Sequence, residues 1–296
     1  MTMRERFYAL AAAALERDER VAIVLAEIGA AQLPQHPRVF NVGIREQLMI
    51  GVAAGLAFEG YRPLVHSYAP FLVERPFEQV KLDLGHQDVG AALVSTGASY
   101  DASESGRTHQ APEDVPLLAT LPGWTIDVPG HPAELDALLD DALAGDHRVY
   151  LRLTDEENAA ARDGRRLRIV RRGSDRAPFV LAVGPALDQA LAATADVDAT
   201  VAYLTRVRPF PAEALRAAVQ ADEVVLVEPY LAATSAGAVA DALRDRPHRL
   251  LSLGIRDPEL RRYGTPAEHR AAHGLDAAGI RRSLDAWRGD PALAAA

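Results

Sequence analysis

The chain has no cysteine, which excludes disulfides, thiolate nucleophiles and cysteine-ligated metals. A reducing, cytoplasmic setting fits that absence. No stretch approaches the roughly 18 consecutive apolar residues that a membrane span requires. The opening MTMRERFYALAAAALERDER has an apolar run too short and too interrupted by charge to read as a signal peptide. An excess of positive charge is also missing. The net charge is -9 and the pI near 5.5, which argues against nucleic acid, since phosphate binding needs a concentrated basic surface. What remains is a globular composition, 49% hydrophobic and 25% charged over 296 residues. Single cores stop growing near this length, so two domains are expected.

Short apolar runs alternate with helical patterns along the first half. Strands are expected at 21–29, 62–68, 90–97, 124–129 and 148–154, and helices at 3–17, 44–58, 71–85, 112–120 and 132–144. Helices interposed between near-continuous apolar strands imply βαβ units and a parallel sheet covered on both faces. The arginine-rich stretch ARDGRRLRIVRRGSDRAP then reads as a linker or an exposed connecting strand. After it the strand–turn–helix pattern restarts, with strands at 200–211, 223–230 and 247–255. The expected organisation is an α/β domain over 1–160, a linker over 161–176 and a smaller α/β domain over 177–296.

One stretch raises a chemical question. VFNVGIREQLMIGVAAGLAFEGYRP, residues 39–63, sets Glu46 at the head of a helix about to enter a core. An acid there is favoured by the helix dipole in any protein. The neighbouring segments supply a sharper reading.

GIREQ with its apolar helix resembles the pyrimidine-binding domain of the transketolase family. Three further segments match in order: SYAPFLVERPFEQVKLD, GRTHQAPEDVPLLATLPGWTIDVP and VYLRLT. The later GIRDPELRRYGTPAEHRAAHGLDAAGI resembles the family's carboxy-terminal domain, so the likeness spans nearly the whole chain. It implies a thiamine-diphosphate-type pyrimidine-binding domain, a parallel sheet with helices on both faces, followed by a smaller α/β carboxy-terminal domain. No GDG motif for the diphosphate and its metal occurs. The resemblance therefore implies one half of a split, two-component transketolase. An amino-terminal diphosphate-binding subunit would hold Mg or Ca with the diphosphate, as a heterodimer or an α2β2 assembly. The substrate would be a small sugar.

The resemblance also assigns roles. Glu46 matches the carboxyl that favours the imino form of thiamine diphosphate's aminopyrimidine, with burial expected to raise its pKa. Tyr68 and Phe71 match aromatic residues expected to sandwich the pyrimidine ring. His109 matches a substrate-facing histidine, poised to donate to a developing oxyanion or to move a proton. His66 is a second candidate for the cleft, and Glu27 is expected to brace the turn after the first strand. The family's phosphate clamp is altered: its positions fall on Gly97 and Asp155, and an Asp repels a dianion. Ordinary pentose phosphates therefore fit poorly, unless Arg107, Arg152 or the partner compensates. The implied reaction is transfer of a two-carbon ketol unit from a ketose to an aldehyde or carrier-bound acceptor. Two alternatives stay open at this point: the beta subunit of a 2-oxoacid dehydrogenase or decarboxylase, and a non-catalytic partner subunit.

Overall fold

Thr2 and Glu5 cap the first helix reciprocally. The Thr2 hydroxyl accepts from the Glu5 amide at 3.2 Å, and the Glu5 carboxylate accepts from the Thr2 amide at 2.8 Å. This satisfies two donors that a helix start leaves open. Helix α1, Met3–Arg17, then buries Met3, Phe7, Ala11, Ala14 and Leu15 along one stripe. The structure, a computed structural model, describes residues 1–289.

The strands, in chain order, are β1 (Val21–Leu25), β2 (Val39–Asn41), β3 (Arg62–Tyr68), β4 (Ala92–Thr96), β5 (Trp124–Asp127), β6 (Arg148–Arg152), β7 (Arg168–Arg171), β8 (Phe179–Val183), β9 (Thr200–Leu204), β10 (Arg206–Arg208), β11 (Glu223–Leu231) and β12 (Arg249–Ile255). They form a seven-stranded sheet ordered β10-β5-β6-β4-β3-β1-β2 and a five-stranded sheet ordered β12-β11-β8-β9-β7. The central strands pair in parallel, and β1, β4, β8 and β9 are buried at every position. A strand covered on both faces has no reason to alternate apolar and polar residues, and these do not.

Helix α1 and the helix Leu135–Ala144 cover one face of the larger sheet. Helix α2, Glu46–Phe58, covers the other with Met49, Ile50, Ala53 and Ala54. The same apolar cluster continues through Ile126 and Tyr150 to Phe179 and Leu226 of the smaller sheet. The two sheets thus share a core.

Two details depart from the expected elements, and the exposed connecting strand, one of the two readings of the arginine-rich stretch, is present. The segment 71–85 is not one helix. It runs as a wide π turn Pro70–Glu74, a short turn Phe77–Gln79 and a second π turn Val80–His86. Pro76 sits at the break, where it lacks an amide hydrogen and clashes with the preceding turn. Arg168–Arg171 forms an edge strand, antiparallel to β9. The run 200–211 splits: β9 stays in the smaller sheet while β10 crosses to pair antiparallel with β5.

That crossing is fixed by charge. Arg206 binds both oxygens of the fully buried Asp127 at 2.9 Å each. Bidentate geometry satisfies a carboxylate that would otherwise be stranded. Replacing Arg206 with Ala should destabilise the protein by about 3 kcal/mol, the usual cost of removing one partner of a buried pair. Urea unfolding curves of the two proteins would measure it.

Candidate active site

The candidate residues gather at the carboxyl ends of the parallel strands, where open α/β sheets hold their ligands. Tyr68 ends β3, Gly97 follows β4, Asp155 lies beyond β6, and Glu46 opens α2 just after β2. Glu46 is only 3% exposed. It is not an isolated buried acid, however. Arg75 Nη1 donates to Glu46 Oε1 at 2.7 Å, and the guanidinium carbon lies 3.9 Å from the centre of the Phe71 ring. The Gln47 amide donates to the Arg75 carbonyl at 3.1 Å. All three residues of REQ are thus engaged at this corner or beside it, since Arg45 binds the Val42 carbonyl at 3.1 Å.

Phe71 and His109 come together, with ring centres 5.0 Å apart at 72°. Tyr68 lies 6.0 Å from each. The Tyr68 and Phe71 planes stand at 87°, so they do not form two parallel plates. Phe71 presents a face, and Tyr68 closes the side. Gly97 explains the position of Tyr68: a Cβ there would lie 2.1 Å from Tyr68 Cδ1. The space a side chain at position 97 would need is filled by the tyrosine ring. His109 Nδ1 pairs with Thr108 Oγ1 at 3.0 Å, and Nε2 has no partner among the described residues.

Two expected substrate contacts are placed elsewhere. His66 is fully buried beneath the site rather than facing a cleft. The Val94 carbonyl lies 2.7 Å from Nδ1, so Nδ1 carries the proton, and Nε2 accepts from the Tyr8 hydroxyl at 3.2 Å. Arg107 has all three guanidinium nitrogens engaged: Glu259 at 2.9 Å, the Gln110 carbonyl at 3.1 Å, and Glu113. It clamps the GRTHQ turn to the loop after β12, with its charge met by Glu113 and Glu259. Arg152 is likewise sealed, binding Asp114 at 2.8 Å and Ser99 at 2.6 Å. Asp155 donates its amide to Asp101, whose carboxyl is pushed up to about 8 by burial and then by Asp155 itself. Glu27 braces its turn as expected: its amide binds Asn41 Oδ1 at 3.0 Å, at a backbone φ of 69°.

Sequence reasoning overlooked two arginines. Arg75 lay inside a quoted segment but carried no assigned role. Arg4 lies on α1, where i, i+4 spacing to Tyr8 reads as ordinary helix surface. The fold sets Arg4 beside Tyr68, 5.5 Å from that ring's centre, with Nε donating to Tyr8 OH at 2.9 Å. Both phenols are neutral, and no carboxylate pairs with Arg4 among the described residues. A chain of donors therefore runs Arg4 to Tyr8 to His66 to Val94 and orients the cation.

With this geometry in place, the comparisons with known proteins are decisive for the family. Residues 1–159 match the transketolase pyrimidine binding domain. The chain belongs to that family. It is 51% identical to an uncharacterized 33.6 kDa protein in the fasciation locus of Rhodococcoides fascians, over 93% of this chain and 91% of that one. It is 32% identical to the 6-deoxy-6-sulfo-D-fructose transketolase subunit SqwH of Clostridium sp. (strain MSTE9), over 86% and 85%. The 1-deoxy-D-xylulose-5-phosphate synthase of Albidiferax ferrireducens is 33% identical over 83% of this chain, which spans only 40% of that enzyme. The fold superposes on a split-gene transketolase, solved as an inactive beta4 tetramer, with a TM-score of 0.80 at 23% identity over 96% and 97%. No helix among the described residues of this transketolase-family chain is long and apolar enough to cross a membrane.

The buried His66 makes a pH prediction. Burial lowers its pKa from 6.5 to about 4, opposed by the Val94 hydrogen bond and assisted by Arg4. A depressed folded-state pKa means stability present above pH 6.5 and lost as pH falls through 4. The shift corresponds to about 3 kcal/mol. His66→Gln should flatten the difference in unfolding free energy between pH 7 and pH 4 by about that amount, read from denaturant curves at the two values.

Proposed function

We propose that this chain is the pyrimidine-side subunit of a two-component, thiamine-diphosphate-dependent transketolase. The observation that carries the reading is the junction of Glu46, the Phe71 face and the His109 ring at the strand ends. The fit to a pyrimidine rests on what already lies there. A flat, nitrogen-bearing group, the Arg75 guanidinium, lies over the Phe71 ring and is bound to Glu46. A ring of similar thickness with a nitrogen on its edge suits the same two surfaces. Glu46, Phe71 and Tyr68 would therefore hold the pyrimidine end. The diphosphate end and its Mg or Ca would belong to the partner subunit.

Thiamine diphosphate, when bound, supplies a nucleophilic thiazolium carbon. Glu46 would hold a proton at the ring nitrogen facing it. Phe71 would fix the ring plane. His109, through Nε2, would donate to the oxygen of the ketose carbonyl and take the proton back as the ketol unit leaves. Arg4 would stand at the far end of the donor, as the cation that replaces the altered clamp. One guanidinium with no paired carboxylate among the described residues suits a singly charged terminus better than a phosphate dianion. The name of the clostridial relative specifies a ketose ending in a sulfonate, a monoanion of that kind.

The partner would dock on the outer face of α2. Ile44 is 72% exposed, Leu48 49% and Phe58 60%, and a Cβ on Gly55 would meet nothing within 4 Å. A helix apolar on its solvent side as well as its core side belongs in an interface. The same placement would put Glu46, between Ile44 and Leu48 in the chain, at the edge of that interface.

Three measurements with a diphosphate-binding subunit test the reading. Glu46→Gln should lower kcat by about 100-fold or more, with assembly intact. Undiminished turnover would refute the role of this carboxyl. Arg4→Ala should raise KM for an anionic ketose about tenfold or more while leaving KM for an uncharged ketose unchanged. Leu48→Arg should abolish co-sedimentation with the partner while circular dichroism stays native. Persistence of the complex would move the interface off α2.

A further inference from the structure

Arg75 makes the two contacts that the proposed function reserves for the pyrimidine ring. Its guanidinium is planar, and its carbon lies 3.9 Å from the centre of Phe71. Its Nη1 donates to Glu46 Oε1 at 2.7 Å. A stacked plane and a donor facing the buried carboxylate are the features a protonated aminopyrimidine would present at the same place. The face of Phe71 that Arg75 covers cannot serve a second flat group at the same time.

We propose that Arg75 is an internal placeholder: it occupies the pyrimidine seat in the isolated chain and has to swing out before an aminopyrimidine can enter. This rests on the reading of Glu46 and Phe71 as that seat.

The surrounding geometry suits such a movement. The Arg75 backbone is anchored on both sides, its amide bound to the Pro70 carbonyl at 3.0 Å and its carbonyl to Gln47 at 3.1 Å. Pro76 follows and restricts the chain further. The side chain is tethered only by Glu46 and Phe71. It is 40% exposed, whereas Glu46 is 3% exposed, so the cation can turn to water while the carboxylate stays nearly enclosed. The wide turn Pro70–Glu74 delivers Arg75 over Phe71, four residues away; single π turns of this kind recur at functional sites.

The physical benefit is clear. A buried carboxylate without a counter-charge is costly, and Arg75 supplies one while the seat is otherwise empty. The consequence is competition. A ligand whose site is available for only a fraction of the time binds with an affinity reduced by that fraction. Displacement of the guanidinium also exchanges an ion pair for a solvated cation, so salt should assist entry by weakening the pair.

The test uses the full chain alone and the free pyrimidine half of thiamine, 4-amino-5-hydroxymethyl-2-methylpyrimidine, with binding followed by NMR titration. Arg75→Ala should bind this probe about tenfold more tightly than the unaltered chain. Arg75→Lys, which cannot lie flat on Phe71, should fall between them. Raising NaCl to about 0.5 M should tighten binding to the unaltered chain and leave Arg75→Ala indifferent. Weaker or unchanged binding by Arg75→Ala would overturn the proposal; weaker binding would make Arg75 a direct ligand contact instead. If Arg75→Ala does not fold, the salt titration of the unaltered chain decides alone: affinity that is flat or falls with salt overturns the placeholder. Phe71→Ala and Glu46→Gln separate the two levels of the argument. If neither affects the probe, the seat itself is misassigned. If both abolish binding and Arg75 has no influence, only the placeholder fails.

Discussion

A carboxylate nearly sealed from water must have a counter-charge, and much of the architecture around Glu46 follows from supplying one. The acid stands at the start of α2, where the helix dipole assists it, and the helix beyond is apolar enough to sink into the core. The only side chain that pairs with it among the described residues is Arg75, delivered from the far side of a widened turn. A regular helix over 71–85 would have carried Arg75 round the axis by a different angle. Pro76 and the π turns break that regularity and leave the guanidinium on the Phe71 face. Backbone irregularity at this corner is therefore part of how the charge is held.

A second set of charges fixes the histidine side of the site. The turn that carries His109 has little apolar anchorage of its own. It is held by Arg107, which binds Glu113 nearby in the chain and Glu259 in the loop after β12. Ser103 adds a hydrogen bond to the Gly264 carbonyl at 2.5 Å. The smaller sheet thus acts on the site at a distance, by pinning the loop whose histidine faces Phe71. The shared apolar core and the Arg206–Asp127 pair keep the two sheets in the register this requires.

The fold class was legible from the sequence because fully buried parallel strands leave near-continuous apolar runs, and VAIVL, ALVST and FVLAV are such runs. Glu46, Phe71 and His109 were legible because each sits in a short motif whose neighbours set its position. The roles of His66 and Arg107 were misread for a shared reason. Whether a polar side chain points out of a strand end or back beneath it depends on partners far along the chain: Tyr8, 58 residues from His66, and Glu259, 152 residues from Arg107. Arg4 was invisible for the same reason, being joined to Tyr68 across 64 residues. The break at Pro76 was local and could have been read, since proline inside a helical pattern is a signal to stop.

These misread residues bear together on the charge of the proposed donor. Arg107 and Arg152 are neutralised by acids, which removes them from substrate binding. Gly97 has its side-chain space filled by Tyr68, which removes a second donor. Asp155 adds repulsion, and it stands beside a carboxyl already pushed toward neutrality by burial. Arg4 alone opposes them, held at Tyr68 by neutral phenols that leave its charge uncompensated. A phosphate dianion gains most where several cations and amide donors converge. A single oriented guanidinium gains less from a second negative charge than such a cluster does. On the proposed reading, a donor pocket around Arg4 would discriminate by charge before shape.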